Sequence, residues 1–186
     1  ITETTYSLAF ALEPAEANAV HSVHVELADR TGLSLRYRNT LVQRTTEARM
    51  ADRTYAGLGF GVMENPLAIR VLHGDANPAG RKAFSLPVTV LVPLDKLTLL
   101  PRDGELVGTI VVWTVATGEK GTMSPLDRQE HVIVVPADKL DRVGIVAVKG
   151  AVEVREGRCR VSVGVLDETS GEAGFAAVEK LSLIHI

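Results

Sequence analysis

The feature that most limits what this chain can fold into is an apolar period of two. Val23, Val25 and Leu27 alternate with His24 and Glu26, and Leu33, Leu35 and Tyr37 alternate with Ser34, Arg36 and Arg38. Successive strand side chains point to opposite faces, so each set predicts a strand with one apolar face. Asp29-Arg30-Thr31-Gly32 supplies a turn between them, and Tyr6-Ser7-Leu8-Ala9-Phe10 predicts a strand upstream. The first forty residues therefore read as three strands that finish a sheet begun before Ile1.

The period then changes. Ala48, Ala51, Tyr55, Leu58 and Val62 fall three and four apart, which predicts one apolar face of a helix near Thr45 to Phe60. Thr45 suits the N-cap and Glu47 the positive end of the helix dipole. Gly57, Gly59 and Gly61 weaken the second half, and Asn65-Pro66 ends it.

From Leu67 the strand pattern returns, at 68–72, 84–92, 106–116, 131–135, 143–154, 159–166 and 173–178. The breaks carry turn chemistry, as in Asp75-Ala76-Asn77-Pro78-Ala79-Gly80, Pro101-Arg102-Asp103-Gly104 and Thr169-Ser170-Gly171. Short strands separated by such turns predict a mainly β chain, an antiparallel sandwich of immunoglobulin or fibronectin type. Cys159, Val161, Val163 and Val165 share one face of a hairpin strand, which makes Cys159 a small buried hydrophobe. Pro93-Leu94-Asp95-Lys96-Leu97 and Pro136-Ala137-Asp138-Lys139-Leu140 each follow an apolar strand; their surroundings do not align, so they are two strand exits and not a repeat. Trp113 has two possible places. Facing inward with Val111 and Val115 it is the sandwich's central packing residue, which is the expected placement; facing outward it would belong to a sugar- or peptide-binding face.

Composition narrows the function classes. A formal charge of -3 does not favour a polyanion partner, and no apolar run approaches the roughly 20 residues of a spanning helix. One cysteine allows no internal disulfide. The chain opens on Ile1 without Met and reads as a fragment, with any leader upstream. Residues 181–186, Leu-Ser-Leu-Ile-His-Ile, match the translation of a transposase-derived sequencing-adapter end and are set aside as a library artefact; alternatively Leu181, Leu183 and Ile184 complete a last strand.

The candidate chemistry is sparse. His21 and His24 lie three apart, which on a strand points them to opposite faces and disfavours a shared metal. His73 with Asp75 and His131 after Asp127-Arg128-Gln129-Glu130 are expected to be solvated. Gly57, Gly59 and Gly61 lie within and after a helix, not between a strand and a helix start, so they form no phosphate loop. No Gly-x-Ser-x-Gly elbow occurs. The stretch 30–53 holds Arg30, Arg36, Arg38, Arg44, Arg49 and Arg53 against Glu47 and Asp52. It carries too little uncompensated charge and too few stacking aromatics for a nucleic-acid groove, and is expected to be a solvated seam with local ion pairs. Catalytic, cofactor-binding and metal-binding residues are accordingly expected to be none.

Val23-His24-Val25-Glu26-Leu27, followed by Gly32-Leu33-Ser34-Leu35-Arg36-Tyr37-Arg38-Asn39, resembles the close of the A-like domain in the bacterial VWFA-related proteins, which are similar to von Willebrand factor A domains. Ala51-Asp52-Arg53-Thr54, Glu64-Asn65-Pro66-Leu67, the strand exit at 90–97 and the hairpin at 161–168 resemble the C-terminal extension of the same proteins. That family's metal site uses Asp-x-Ser-x-Ser after its first strand. Here the nearest string, Asp167-Glu168-Thr169-Ser170-Gly171, has Gly171 at the second serine and lies in a late hairpin. The resemblance implies residues 1–40 as terminal strands of a truncated α/β A-like domain, 41–66 as a linking helix and 67–180 as the sandwich. It further implies a non-enzymatic accessory domain of an exported bacterial protein, extracellular or periplasmic, acting in adhesion or protein–protein interaction, with an unidentified protein partner or docking on its own upstream domain. A carbohydrate-binding accessory sandwich is the alternative.

Overall fold

The computed structural model describes residues 7, 19–28, 32, 34–60, 63–138 and 144–183, the last four of these by their backbone alone. The chain divides into two compact units, Ile1–Ala48 and Arg49–Ile186.

In the first unit, β1 (Ala19–Ser22) pairs antiparallel with β2 (Thr40–Gln43), Val20 lying opposite Val42. The Val23 N–H donates to the Asn39 carbonyl at 2.8 Å and extends the ladder by one step. The strands expected at Val23–Leu27 and Leu33–Tyr37 are thus displaced outward along the same hairpin. The alternation survives in burial, with Val23, Val25 and Leu27 half-buried between exposed His24 and Glu26, yet Leu35 and Tyr37 are 42% and 40% exposed. An apolar face makes a strand only where a neighbour continues the hydrogen-bond ladder. Apart from Ser7, the Tyr6–Phe10 strand lies outside the described residues, as do Leu33 and most of the 29–32 turn.

The second unit is an antiparallel β-sandwich. One sheet is centred on β5 (Ala83–Pro93), which pairs along its whole length with β9 (Ile145–Arg155). Its other edge takes β3 (Arg70–His73) and β4 (Asn77–Gly80) in turn. The other sheet is centred on β7 (Glu105–Gly118). β8 (Asp127–Pro136) lies along one edge of β7, while β6 (Leu100–Arg102) and β10 (Gly157–Asp167) share the other, and β11 (Ala173–Leu183) lies outside β10. All seven strands expected after Leu67 are present. β4 and β6 are additional and fall in the turn-rich breaks, because an edge pairing of three or four residues leaves no period to detect.

Leu86, Val88, Val90 and Val92 of β5 and Val148, Val152 and Val154 of β9 form one buried core with Ile110 and Val112 of β7 and Cys159, Val161, Val163 and Val165 of β10. That places the core between the sheets and puts Cys159 in it, as its alternation predicts.

Trp113 is 2% exposed, but not between the sheets. With Val111 it lies on the opposite face of β7, in a separate core with Leu166, Phe175 and Met50. Met50 belongs to α1 (Thr46–Ala56), so this second core lies under the helix. The inward phase expected for Trp113 is therefore off by one residue. β7 is apolar on both faces because both are covered, which removes the alternation that fixes phase.

The helix expectation is also corrected in its rotation. Thr45 caps it, accepting the Ala48 N–H at 3.0 Å. The buried positions, however, are Met50, Thr54 and Gly57, at i, i+4 and i+7, while Tyr55 is 38% exposed. Val62 lies outside the described residues. A Cβ on Gly164 of β10 would sit 2.5 Å from Thr54 Oγ1 and 2.9 Å from Phe175, and one on Gly57 would collide with Ser162 Oγ. The helix packs by its smallest side chains because the strand beneath also presents small residues there. Thr54 tolerates complete burial by donating its hydroxyl to the Met50 carbonyl at 2.7 Å.

Candidate interaction surface

The histidines stay apart. His21 contacts Gln43 at 3.0 Å, His24 contacts Glu26 at 2.9 Å, and His73 donates from Nδ1 to the Gly74 carbonyl at 3.2 Å. His131 is not solvated as expected. β8 starts four residues earlier, at Asp127, so His131 falls inside the strand on the face shared with core residues Ile133 and Val135, and its Nε2 is buried with no hydrogen-bond partner among the described residues. No group of three or more His, Cys, Asp or Glu side chains able to hold a metal ion occurs among the described residues.

Asp167 has a structural role. It is 1% exposed and its carboxylate accepts from the Thr98 N–H at 2.8 Å, the Thr169 N–H at 2.9 Å and the Ser170 hydroxyl at 2.9 Å. Its lone pairs are committed to tying the β10–β11 turn to the segment before β6, so the string 167–171 works as a turn staple.

Of the arginines, Arg36 and Arg38 are exposed. Arg53 pairs with Glu64 at 2.6 Å and lies over the Phe175 ring at 4.3 Å. Arg160 donates to the Phe60 carbonyl at 2.7 Å, favourable just beyond the negative end of α1, and reaches Glu179 at 3.2 Å. Arg53, Phe60, Met63 and Phe175 border an open groove of about 220 Å³. This is below the roughly 300 Å³ at which small-molecule sites begin.

The larger opportunity is on the outer face of the β7 sheet, the face that α1 covers over Val111 and Trp113. Cross-strand pairing aligns Leu100, Val107 and Val134 in one row, with Val132 next to Val134 on the same face of β8. Leu100 is 56% exposed, Val132 63% and Val134 48%, and Val107 is half-buried. These four residues were not singled out from sequence. The unbroken run Val132-Ile133-Val134-Val135 was the available signal, since a strand with one wet face should alternate.

β8 is also an open edge: among the described residues it pairs with β7 alone. Ala137 N–H donates to the Gly104 carbonyl, so odd-numbered positions turn their main-chain groups toward β7 and even-numbered ones turn theirs outward. Glu168 N–H donating to the Thr109 carbonyl fits this phase, since it places odd β7 positions on the β10 side. Val132 and Val134 therefore offer an uncovered side chain and an unpaired N–H and C=O together.

No family profile matches the chain, and no curated protein does. Among solved structures, the Northeast Structural Genomics Consortium target SoR45 is similar at a TM-score of 0.40 and 11% identity, over 67% of this chain and 95% of that one. No helix among the described residues is long and apolar enough to cross a membrane.

Proposed function

We propose that this chain is a non-catalytic accessory β-sandwich, of immunoglobulin or fibronectin type, that works by protein–protein interaction or adhesion. The observation that carries the proposal is the apolar row Leu100–Val107–Val134 with Val132, uncovered on a sheet face and bordered by an open strand edge. Contiguous apolar surface costs solvation free energy in an isolated domain and is characteristic of partner-binding faces.

Membership of an exported bacterial VWFA-related protein, with residues 1–40 as the tail of its A-like domain, rests on the sequence resemblance alone. The carbohydrate-binding alternative has less support, because Trp113 is buried in a core and the exposed aromatics Tyr55 and Phe60 lie on and just after the helix and not on a sheet face.

The test is recovery of the upstream reading frame. A leader and an Asp-x-Ser-x-Ser motif within about two hundred residues, the size of one domain, would support the proposal. An unrelated enzyme domain in that place would remove it.

A further inference from the structure

We infer that the partner of the β8 edge is a second copy of this chain, joined by antiparallel β8–β8 pairing about a twofold axis at Ile133. The inference rests on reading the β8 face as an interaction surface and adds the identity of the occupant.

Edge strands in monomers are guarded by charges, bulges, prolines or brevity. The other sheet's edge strand β9 follows that rule, with Lys149, Glu153 and Arg155 exposed along it. β8 is ten residues long and pairs with β7 without a register shift. Of its outward-bonding positions, Arg128 and Glu130 carry charge toward the start and Pro136 stands at the very end, which leaves exposed Val132 and Val134 as the unguarded middle of the edge.

The strand is self-complementary in one register. With Ile133 on the axis, Val132 faces Val134 of the second copy, on the exposed face and at positions whose main-chain groups both point outward. Each such pair exchanges two N–H to C=O bonds. Glu130 then faces Pro136 of the second copy, where the Glu130 N–H meets a free carbonyl and the missing proline N–H falls at the end of the ladder. The interface is isologous, as closed dimers require, and uses strand addition for affinity and the valines for register.

Sedimentation equilibrium of the whole chain over a concentration series is the test. The wild-type chain should be a reversible dimer. Val132→Lys combined with Val134→Lys should weaken it about tenfold or more, since each substitution acts twice in the interface. Val134→Pro, which removes an outward N–H and none donated to β7, should do the same. Thermal unfolding monitored by circular dichroism identifies any variant that fails to fold; the exposed lysine variants keep the test open if the proline variant does not. A wild-type chain that stays monomeric throughout, or a dimer that survives the folded variants, would overturn the inference. A monomer would leave the interaction proposal to its own test upstream, and an upstream enzyme domain would leave the dimer standing.

Discussion

Gly164 and Thr54 meet where α1 lies on the β10 strand, and a Cβ on Gly164 would stand 2.5 Å from the Thr54 hydroxyl oxygen. Gly164 pairs with Phe175 on one side and Trp113 on the other, so the added atom would also press on the Phe175 ring at 2.9 Å. The small residue sets the distance between helix and sheet. Gly164→Ala should therefore destabilise the second unit by about 1–3 kcal/mol, the usual cost of overpacking, in a urea unfolding curve. An unchanged midpoint would show that the helix is free to lift.

Ser162 adjoins the same contact. Its hydroxyl is buried with no hydrogen-bond partner among the described residues, and it occupies the space a Gly57 Cβ would need. Ser162→Ala should be neutral or stabilising by about 1 kcal/mol, because it removes an unsatisfied polar group. Gly57→Ala should be less costly in that background than in the wild type, with a coupling of about 0.5–3 kcal/mol in a double-mutant cycle. Additive effects would contradict the contact.

Trp113 is the chain's single tryptophan and lies in the core that Met50 shares, so its fluorescence reports helix docking. Met50→Ala should cost about 2–5 kcal/mol and shift the native emission to the red as water reaches the indole. Loss of stability without an emission shift would mean that the helix stays seated over the cavity.

Asp167→Ala should cost about 1–3 kcal/mol, because it removes the acceptor that the main-chain donors of Thr98 and Thr169 share. Asp167→Asn should recover only part of this, since an amide nitrogen would face a donor on one side. Equal stabilities for the asparagine variant and the wild type would deny the carboxylate its role.

A chain shortened to begin at Arg44 keeps the Thr45 cap, the helix and the sandwich. It should unfold in one cooperative transition, and the first forty-three residues made alone, which keep the β1–β2 pair, should give no transition, since a lone hairpin is marginal in water. A shortened chain that fails to fold would show that the sandwich requires what precedes it.

The local pattern of residues determined much of this molecule. Alternation in 159–166, with Cys159 facing inward, and the strands at 84–92, 106–116 and 143–154 follow from side chains that point alternately to wet and dry sides. Thr45 as a cap follows from its hydroxyl before a helical run. What the sequence could not decide is what each face would meet. Alternation puts Val111 and Trp113 on the inner side of β7, whereas they lie on the outer one, because a strand covered by a second sheet on one face and a helix on the other is apolar on both. The helix turned Thr54 and Gly57 inward against an apolar stripe that ran through Tyr55, because the close approach of Gly164 rewards small side chains more than hydrophobic ones. The uncovered row at Leu100, Val107, Val132 and Val134 is assembled from three strands far apart in the chain. Its members are ordinary strand residues one by one, and only the register between strands makes them a surface.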